Sequence, residues 1–325
     1  MYCIFDSSTD PHWNLAAEEH LLKSKTDSIF RLWRNDNSVI IGRNQNALAE
    51  IDIDFVKKNG VKVVRRLTGG GAVFHDLGNI NFTFVDRRID GEDTGAMFRR
   101  FTAPILTALQ GLGVDAVLEG RNDLLIDGRK FSGNAICLYQ DRILQHGTLL
   151  FASSIGNLSG ALRVRDVKFT GRAVKSNRSR VTNISEHLPV SMDVMQFMDY
   201  LRRQVGQDCI PYEYSPEDIA AIDALCEEKY SKEWWNFGSS PDYTFSKCEK
   251  FPSGMVEVFM NVEKGRISGL NIFGDYFFRK PTEEFCRLME GCAHNEKEIA
   301  GRLSSIALDD YFCGITPEGM LRLFF

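Results

Sequence analysis

The sequence predicts an α+β fold: a mixed, largely antiparallel sheet with flanking helices, followed by a small C-terminal α+β domain. Three observations lead there. The chain has 325 residues, more than the usual single domain of about 100–200, so two domains are expected. Strand-like runs come before and after helical ones without a regular βαβ rhythm, which disfavours a doubly wound nucleotide fold. Three successive β segments, Asp123–Ile126, Arg129–Tyr139 and residues 143–150, form a meander, because Asp127-Gly128 is a strong hairpin signal and Gln140-Asp141 a second polar turn.

Asp10-Pro11 offers an N-cap followed by proline at the first helical position, so residues 12–23 read as a helix with Trp13, Ala16, Ala17 and Leu21 on its apolar side. Residues 28–33 and Ser38–Ile41 are short β-type runs. Residues 54–59 form a short helix closed by Gly60, and residues 61–66 a strand. The cluster Gly69-Gly70-Gly71 follows at once, and residues 79–85 return from it as a strand. Phe98, Phe101, Ile105, Leu109 and Leu112 recur at helical spacing, which predicts a helix over 94–112 with a kink at Pro104. After Val190 the pattern is helical, and Ser215-Pro216-Glu217-Asp218 starts a helix that runs to about 229. A boundary near Phe245 divides the chain into 1–245 and 246–325, and in the second portion residues 255–262 and 267–273 form a hairpin before further helices.

Hydrophobic residues make up 43% and charged residues 26%, a globular mixture that excludes disordered and fibrous classes. The balance of 39 basic against 44 acidic side chains, 39 − 44 = −5, argues against a nucleic-acid coat or a basic membrane-surface protein. Any anion site must be local. The eight cysteines show no two-residue spacing, so zinc ribbons and thioredoxin-like motifs lose support, and they read as small buried thiols in a reducing compartment. The first 22 residues carry no Lys or Arg and match no secretory or transit signal, and no apolar span is present. A cytoplasmic protein is expected, with a monomer as the default.

Three consecutive glycines supply backbone that can take positive φ and bring N–H groups close to an anion, and a flexible hairpin tip is the bland alternative. No Gly-Lys-Ser/Thr follows and the dinucleotide fingerprint lacks its third glycine. The company is polar: Arg65 and Arg66 stand before the cluster, His75 and Asp76 after it. Lys130 lies past the Asp127-Gly128 turn and is followed by Ser132-Gly133-Asn134, where Gly133 interrupts a strand and lets another group approach the backbone. His146-Gly147-Thr148 could line a site or be structural. Six histidines with no pair at ligand spacing give no intrinsic metal site. Lys168, Arg172, Lys175, Arg178 and Arg180, with no acid among them, read as a solvated loop or a basic flap over a polyphosphate.

Three blocks carry a resemblance: residues 65–76 with the glycine triplet, residues 128–135 around Lys130, and residues 146–150. Together with Asn14-Leu15-Ala16-Ala17-Glu18-Glu19, Trp33-Arg34-Asn35, Gly42-Arg43-Asn44-Gln45-Asn46, residues 120–124 and residues 235–238, they resemble the lipoate–protein ligase A family of the lipoate/biotin ligase superfamily. The resemblance implies that lipoate is joined to ATP, giving lipoyl-adenylate and pyrophosphate, and that the lipoyl group then passes to a lysine of an acceptor, a lipoyl domain of a 2-oxoacid dehydrogenase complex or the glycine cleavage H protein. It implies that Arg66, Gly71, Ala72, Val73 and Phe74 hold the nucleotide, with Asn79 and Asp123 on the AMP side. By the same resemblance Lys130 would bridge the lipoate carboxylate and the α-phosphate, while Trp33, Thr68, His75 and His146 would line the lipoyl pocket with Arg66 and Lys130. Mg²⁺ is implied by the ATP chemistry alone. An octanoyl or lipoyl transferase of the same superfamily is the rival, but its cysteine nucleophile has no counterpart between Cys3 and Cys137. A non-catalytic lipoate-binding scaffold is the third reading, and the retained Lys130 and glycine triplet speak against it.

Overall fold

The structure is a computed structural model and describes every residue except 46, 52, 155, 157–160, 163–180, 237–244, 264–265, 295 and 325. The strands are β1 (Tyr2–Phe5), β2 (Ile29–Trp33), β3 (Ser38–Ile41), β4 (Lys62–Arg65), β5 (Val73–His75), β6 (Asn79–Arg87), β7 (Ala116–Glu119), β8 (Asp123–Ile126), β9 (Arg129–Tyr139), β10 (Arg142–Leu150), β11 (Ile210–Pro211), β12 (Phe245–Phe251), β13 (Gly254–Glu263) and β14 (Arg266–Gly274). The longer helices are α1 (Pro11–Ser24), α2 (Thr94–Gly111), α3 (Val194–Val205), α4 (Pro216–Leu225), α5 (Thr282–Met289) and α6 (Glu296–Ser304). The chain divides into two compact units: Met1–Ile40, Leu48–Val64 and Val73–Asn236 form the first, and Ile41–Ala47, Arg65–Ala72 and Phe237–Phe325 the second.

In the first unit an eight-stranded sheet runs β11-β1-β2-β6-β10-β9-β8-β7. The β1 pairings with β2 and β11 are parallel and the others antiparallel, which is the mixed α+β architecture the sequence predicts. The meander is β8, β9 and β10, and Asp127 and Gly128 take φ of 50° and 69°, as a two-residue turn with the sheet's twist requires. Asp10 accepts from the amide of His12 at the start of α1, with Pro11 at its first position, and the buried Ala16 and Ala17 let the helix approach the sheet closely. The other face is aromatic. Phe30 stacks on Phe84 at 4.8 Å and Phe84 on Phe101 of α2 at 5.7 Å, each buried ring stabilising the fold by about 1.5–3 kcal/mol. Helix α2 runs through Pro104 to Gly111.

The second unit holds the sheet β12-β13-β14, whose core residues include Val256, Val258 and Ile272. Tyr276 and Phe285 close on Phe312 at 4.8 and 4.9 Å. Strands β1, β5, β7, β11 and β12 have no counterpart in the sequence reading, which made the chain after Val190 helical; β1, β5, β7 and β11 are too short to show a period. Cys3 and Cys209, read as free thiols, form a disulfide with Cα atoms 5.6 Å apart, because parallel pairing of β1 with β11 brings the segment before Ile210 alongside the N-terminal strand. Among the described residues no helix is long and apolar enough to cross a membrane.

Candidate active site

Register decides which predicted residues meet. In an antiparallel ladder directly opposed residues share a face. Trp33 opposes Asn81, Arg31 opposes Thr83, His146 opposes Thr83 and Thr148 opposes Asn81, so these side chains and Asn79 line one face of the sheet, beneath α1. Across β9, His146 opposes Ala135, which places Gly133 on the same face, and Gly133 in turn opposes Asp123.

Lys130 reaches that face through an irregularity. Positions 130 and 133 differ by three and would point to opposite faces in a regular strand. The register between β8 and β9 shifts at Leu124/Leu125, one extra residue entering β9, and a bulge of this kind re-aims the side chains beyond it. A Cβ added to Gly133 would lie 3.2 Å from both Cε and Nζ of Lys130, so the glycine makes room for the ammonium. Lys130 Nζ sits 2.8 Å from Asp123 Oδ1, and with the two side chains 41% and 39% exposed the pair is open to a ligand. Backbone pairing with Val181 and a bond from the Thr182 amide to the Lys130 carbonyl at 3.0 Å hold the strand from its other side.

Behind this pair lies a buried network. Glu18 of α1 accepts from the Thr83 hydroxyl at 2.6 Å, and both of its oxygens lie 3.0 Å from His146 Nδ1. Trp33 Nε1 donates to Thr83 at 2.8 Å, so one carboxylate anchors two predicted pocket residues. Burial opposes ionisation of Glu18, but the facing His146 and the nearby Arg31 outweigh it and hold the carboxyl below its ordinary value. A second chain runs from Asp6 through Arg31, Asn14 and Asn35 to His75. Asn79 Nδ2 donates to Asn81 Oδ1 at 3.1 Å, while Asn79 Oδ1 and Asn81 Nδ2 are buried without a hydrogen-bond partner, the kind of orphaned pair a bound polar ligand satisfies.

The remaining predicted residues are organised differently. Val73 and Phe74 lie in β5, opposite Ile40 and Val39. Arg66, Thr68, Gly71 and Ala72 belong to the second compact unit. There Arg66 is buried and donates to Thr68 Oγ1 at 2.9 Å and to the carbonyls of Gly69 and Gly71 at 2.7 and 2.8 Å, clamping the glycine loop from inside. Gly70 takes φ of 94°, open to glycine, and a Cβ at Gly69 would meet the Tyr276 carbonyl at 2.5 Å. Arg65 donates to the carbonyls of Gly42, Arg43 and Gln45 at 2.9, 3.2 and 2.6 Å; burial first, then Arg43 and Arg66, push its pKa down to about 10. The basic stretch 168–180 lies outside the described residues. No group of three or more metal-ligating side chains occurs among the described residues.

Sequence reasoning quoted Asn14, Glu18 and Asn35 within motifs but gave them no task. The available signal was three successive ionisable residues, Glu18, Glu19 and His20, between the apolar pairs Ala16-Ala17 and Leu21-Leu22, all of them buried. Each is partnered: Glu19 with Lys23 and Lys229, His20 with Asp218.

Comparison with known proteins adds independent information. The sequence model described as the lipoyl protein ligase A/B catalytic domain matches residues 10–206, and that of the bacterial lipoate protein ligase C-terminus matches residues 240–324. The chain is 39% identical over 323 residues to lipoate-protein ligase LplJ of Bacillus subtilis, covering 97% of each chain. A crystal structure of lipoate-protein ligase A bound with ATP superposes with a TM-score of 0.64 at 30% identity, over 73% of this chain and 98% of that one. A P. falciparum LipL1 structure in complex with lipoate shares the fold, with a TM-score of 0.77 at 24% identity over 94% of each chain.

Proposed function

This chain belongs to the lipoate–protein ligase family and is an ATP-dependent ligase, and from that premise we propose which residues carry its two steps. In the first, a lipoate carboxylate oxygen attacks the α-phosphorus of ATP; the bond to the bridging oxygen breaks and pyrophosphate leaves with its electron pair, giving lipoyl-adenylate. In the second, an acceptor lysine amine attacks the acyl carbon, AMP departs, and the amine loses a proton.

The observation that carries the assignment is the exposed ammonium of Lys130, brought by the bulge at Leu124/Leu125 onto the polar face of the sheet. The first step brings two anions together, and a fixed cation offsets that repulsion as charge spreads in the transition state. Lys130 takes this role, bridging carboxylate and α-phosphate. Asp123 holds the ammonium until the substrates arrive and then faces the AMP side, with Asn79. Trp33, Thr68, His75 and His146 receive the lipoyl chain; Arg66, Gly71, Ala72, Val73 and Phe74 receive the nucleotide. Mg²⁺ enters with the triphosphate as part of the substrate. No group of three or more metal-ligating side chains stands among the described residues, so the phosphate oxygens would supply most of its ligands. The second step asks mainly for proximity, since the anhydride is already activated. We assign catalysis to residues 1–245 and an accessory role to residues 246–325, with lipoyl domains of 2-oxoacid dehydrogenase complexes or the glycine cleavage H protein as acceptors.

The test is pyrophosphate release from lipoate, ATP and Mg²⁺ before any acceptor is added. Release is expected. Acyl transfer that proceeds without ATP, or no reaction at all, refutes the assignment.

A further inference from the structure

His75 ends a chain of hydrogen bonds whose direction is fixed at its far end. Arg31 is fully buried, and a guanidinium can only donate. Its Nη2 lies 2.9 Å from Asn14 Oδ1, so Asn14 turns its Nδ2 the other way. The carbonyls of Ser8 and Arg34, at 3.0 and 2.9 Å from that nitrogen, require the same orientation because carbonyls only accept. Asn14 Nδ2 shares its two protons among three acceptors and offers no lone pair, so the Asn35 atom 3.0 Å from it is the accepting Oδ1, which orients the next amide, and Asn35 Nδ2 then faces His75 Nδ1 at 3.1 Å. An amide N–H meets a ring nitrogen there. His75 Nδ1 therefore presents a lone pair, and the ring proton resides on Nε2. His146 is set the opposite way: its Nδ1 faces a carboxylate, which only accepts, so Nδ1 carries the proton.

We infer that Asn35 is a positioning residue for acyl recognition: with Asn14 it holds His75 as an Nε2–H donor, opposite in ring polarity to His146. The inference rests on the reading of His75 as a lipoyl-pocket residue. A ring that offers N–H, never a lone pair, on the side away from Asn35 selects for an acceptor atom in the acyl substrate. The relay acts on the acyl substrate through His75.

Long-range proton–nitrogen spectra of the histidine rings in the full-length chain read the tautomer directly, with His75 identified by its loss in His75→Gln. The expected result is a proton on Nε2 of His75 and on Nδ1 of His146. Asn35→Asp keeps the acceptor facing Asn14 and replaces the donor facing His75 with an acceptor, so His75 should become protonated at Nδ1. The KM for lipoate in the pyrophosphate-release assay should then rise about tenfold, the size of one mismatched hydrogen bond, with kcat changed less than about threefold. In His75→Gln a permanent amide N–H stands in for Nε2–H, and adding Asn35→Asp to it should leave KM where His75→Gln alone puts it. A wild-type His75 protonated at Nδ1 overturns the inference. So does a ring spectrum that Asn35→Asp leaves unchanged. A switched tautomer with an unchanged KM overturns the recognition role; if His75→Ala also leaves KM unchanged, the fault lies in the pocket assignment and not in the relay.

Discussion

Two groups of cations invite comparison: Lys130 on the sheet of the first compact unit, and the adjacent Arg65 and Arg66 of the second. Lys130 is 41% exposed and held by one equally open carboxylate, so an incoming anion can replace its partner at little cost. Arg65 and Arg66 are 4% and 5% exposed, and their guanidinium groups donate to backbone carbonyls of two tight loops. A point charge on a flexible stem suits a reacting centre, whereas a planar five-donor fork suits the tying of a loop. The contrast teaches that a run of basic residues next to glycines can be architecture first, fixing the shape of the loop from inside.

Substitutions can break this contrast. The largest effect is expected from Lys130→Ala: pyrophosphate release should fall by on the order of a hundredfold or more, with the melting temperature nearly unchanged. Unaltered release would remove Lys130 from the centre of the chemistry. Next comes Glu18→Gln, which withdraws the buried charge beneath the same face and should cost about 2–4 kcal/mol in urea unfolding at neutral pH. The sign of its pH dependence follows from the lowered carboxyl. Stability from Glu18 is fully present above its ordinary value of 4.5 and is lost as pH falls through the lower folded value, so the gap between wild type and Glu18→Gln should close in acid. A gap that widens in acid would reverse the direction assigned to this group.

Arg65→Lys sharpens the comparison from the other side. A lysine cannot reach three carbonyls in the same fork, and a stability loss of about 2 kcal/mol is expected with pyrophosphate release per folded molecule reduced less than tenfold. A loss of release with stability intact would make Arg65 a reacting cation like Lys130. The smallest effect belongs to Gly133→Ala. The added methyl crowds Nζ at 3.2 Å, a contact the flexible lysine can relieve, so release should fall only about threefold and titrating lipoate should show whether KM or kcat absorbs it.

Much of the first unit was legible locally. Asp10-Pro11 announces α1, the spacing of Phe98 to Leu109 announces α2, and Asp127-Gly128 announces the hairpin that carries Lys130. Gly133 was read as a place where another group approaches the backbone, and that group is Lys130 itself. What escaped reading shares one cause. Strand β1 is four residues long and pairs in parallel with β2 and β11, so neither periodicity nor a turn marks it, and the Cys3–Cys209 bond depends on that pairing. Glu18 received no role because its partners, Thr83 and His146, are 65 and 128 residues away in sequence.

By itself the sequence determined the family, the chemical repertoire, and the caps and turns that depend on a few neighbouring residues. The tertiary structure decided which side chains share a face, where a bulge turns Lys130 toward Asp123, and which way each amide and imidazole of the buried network points. The physical reason is that face and hydrogen-bond direction follow from ladder register and from donors many residues distant, such as Arg31 acting on His75 through two asparagines, and no local window of sequence contains them.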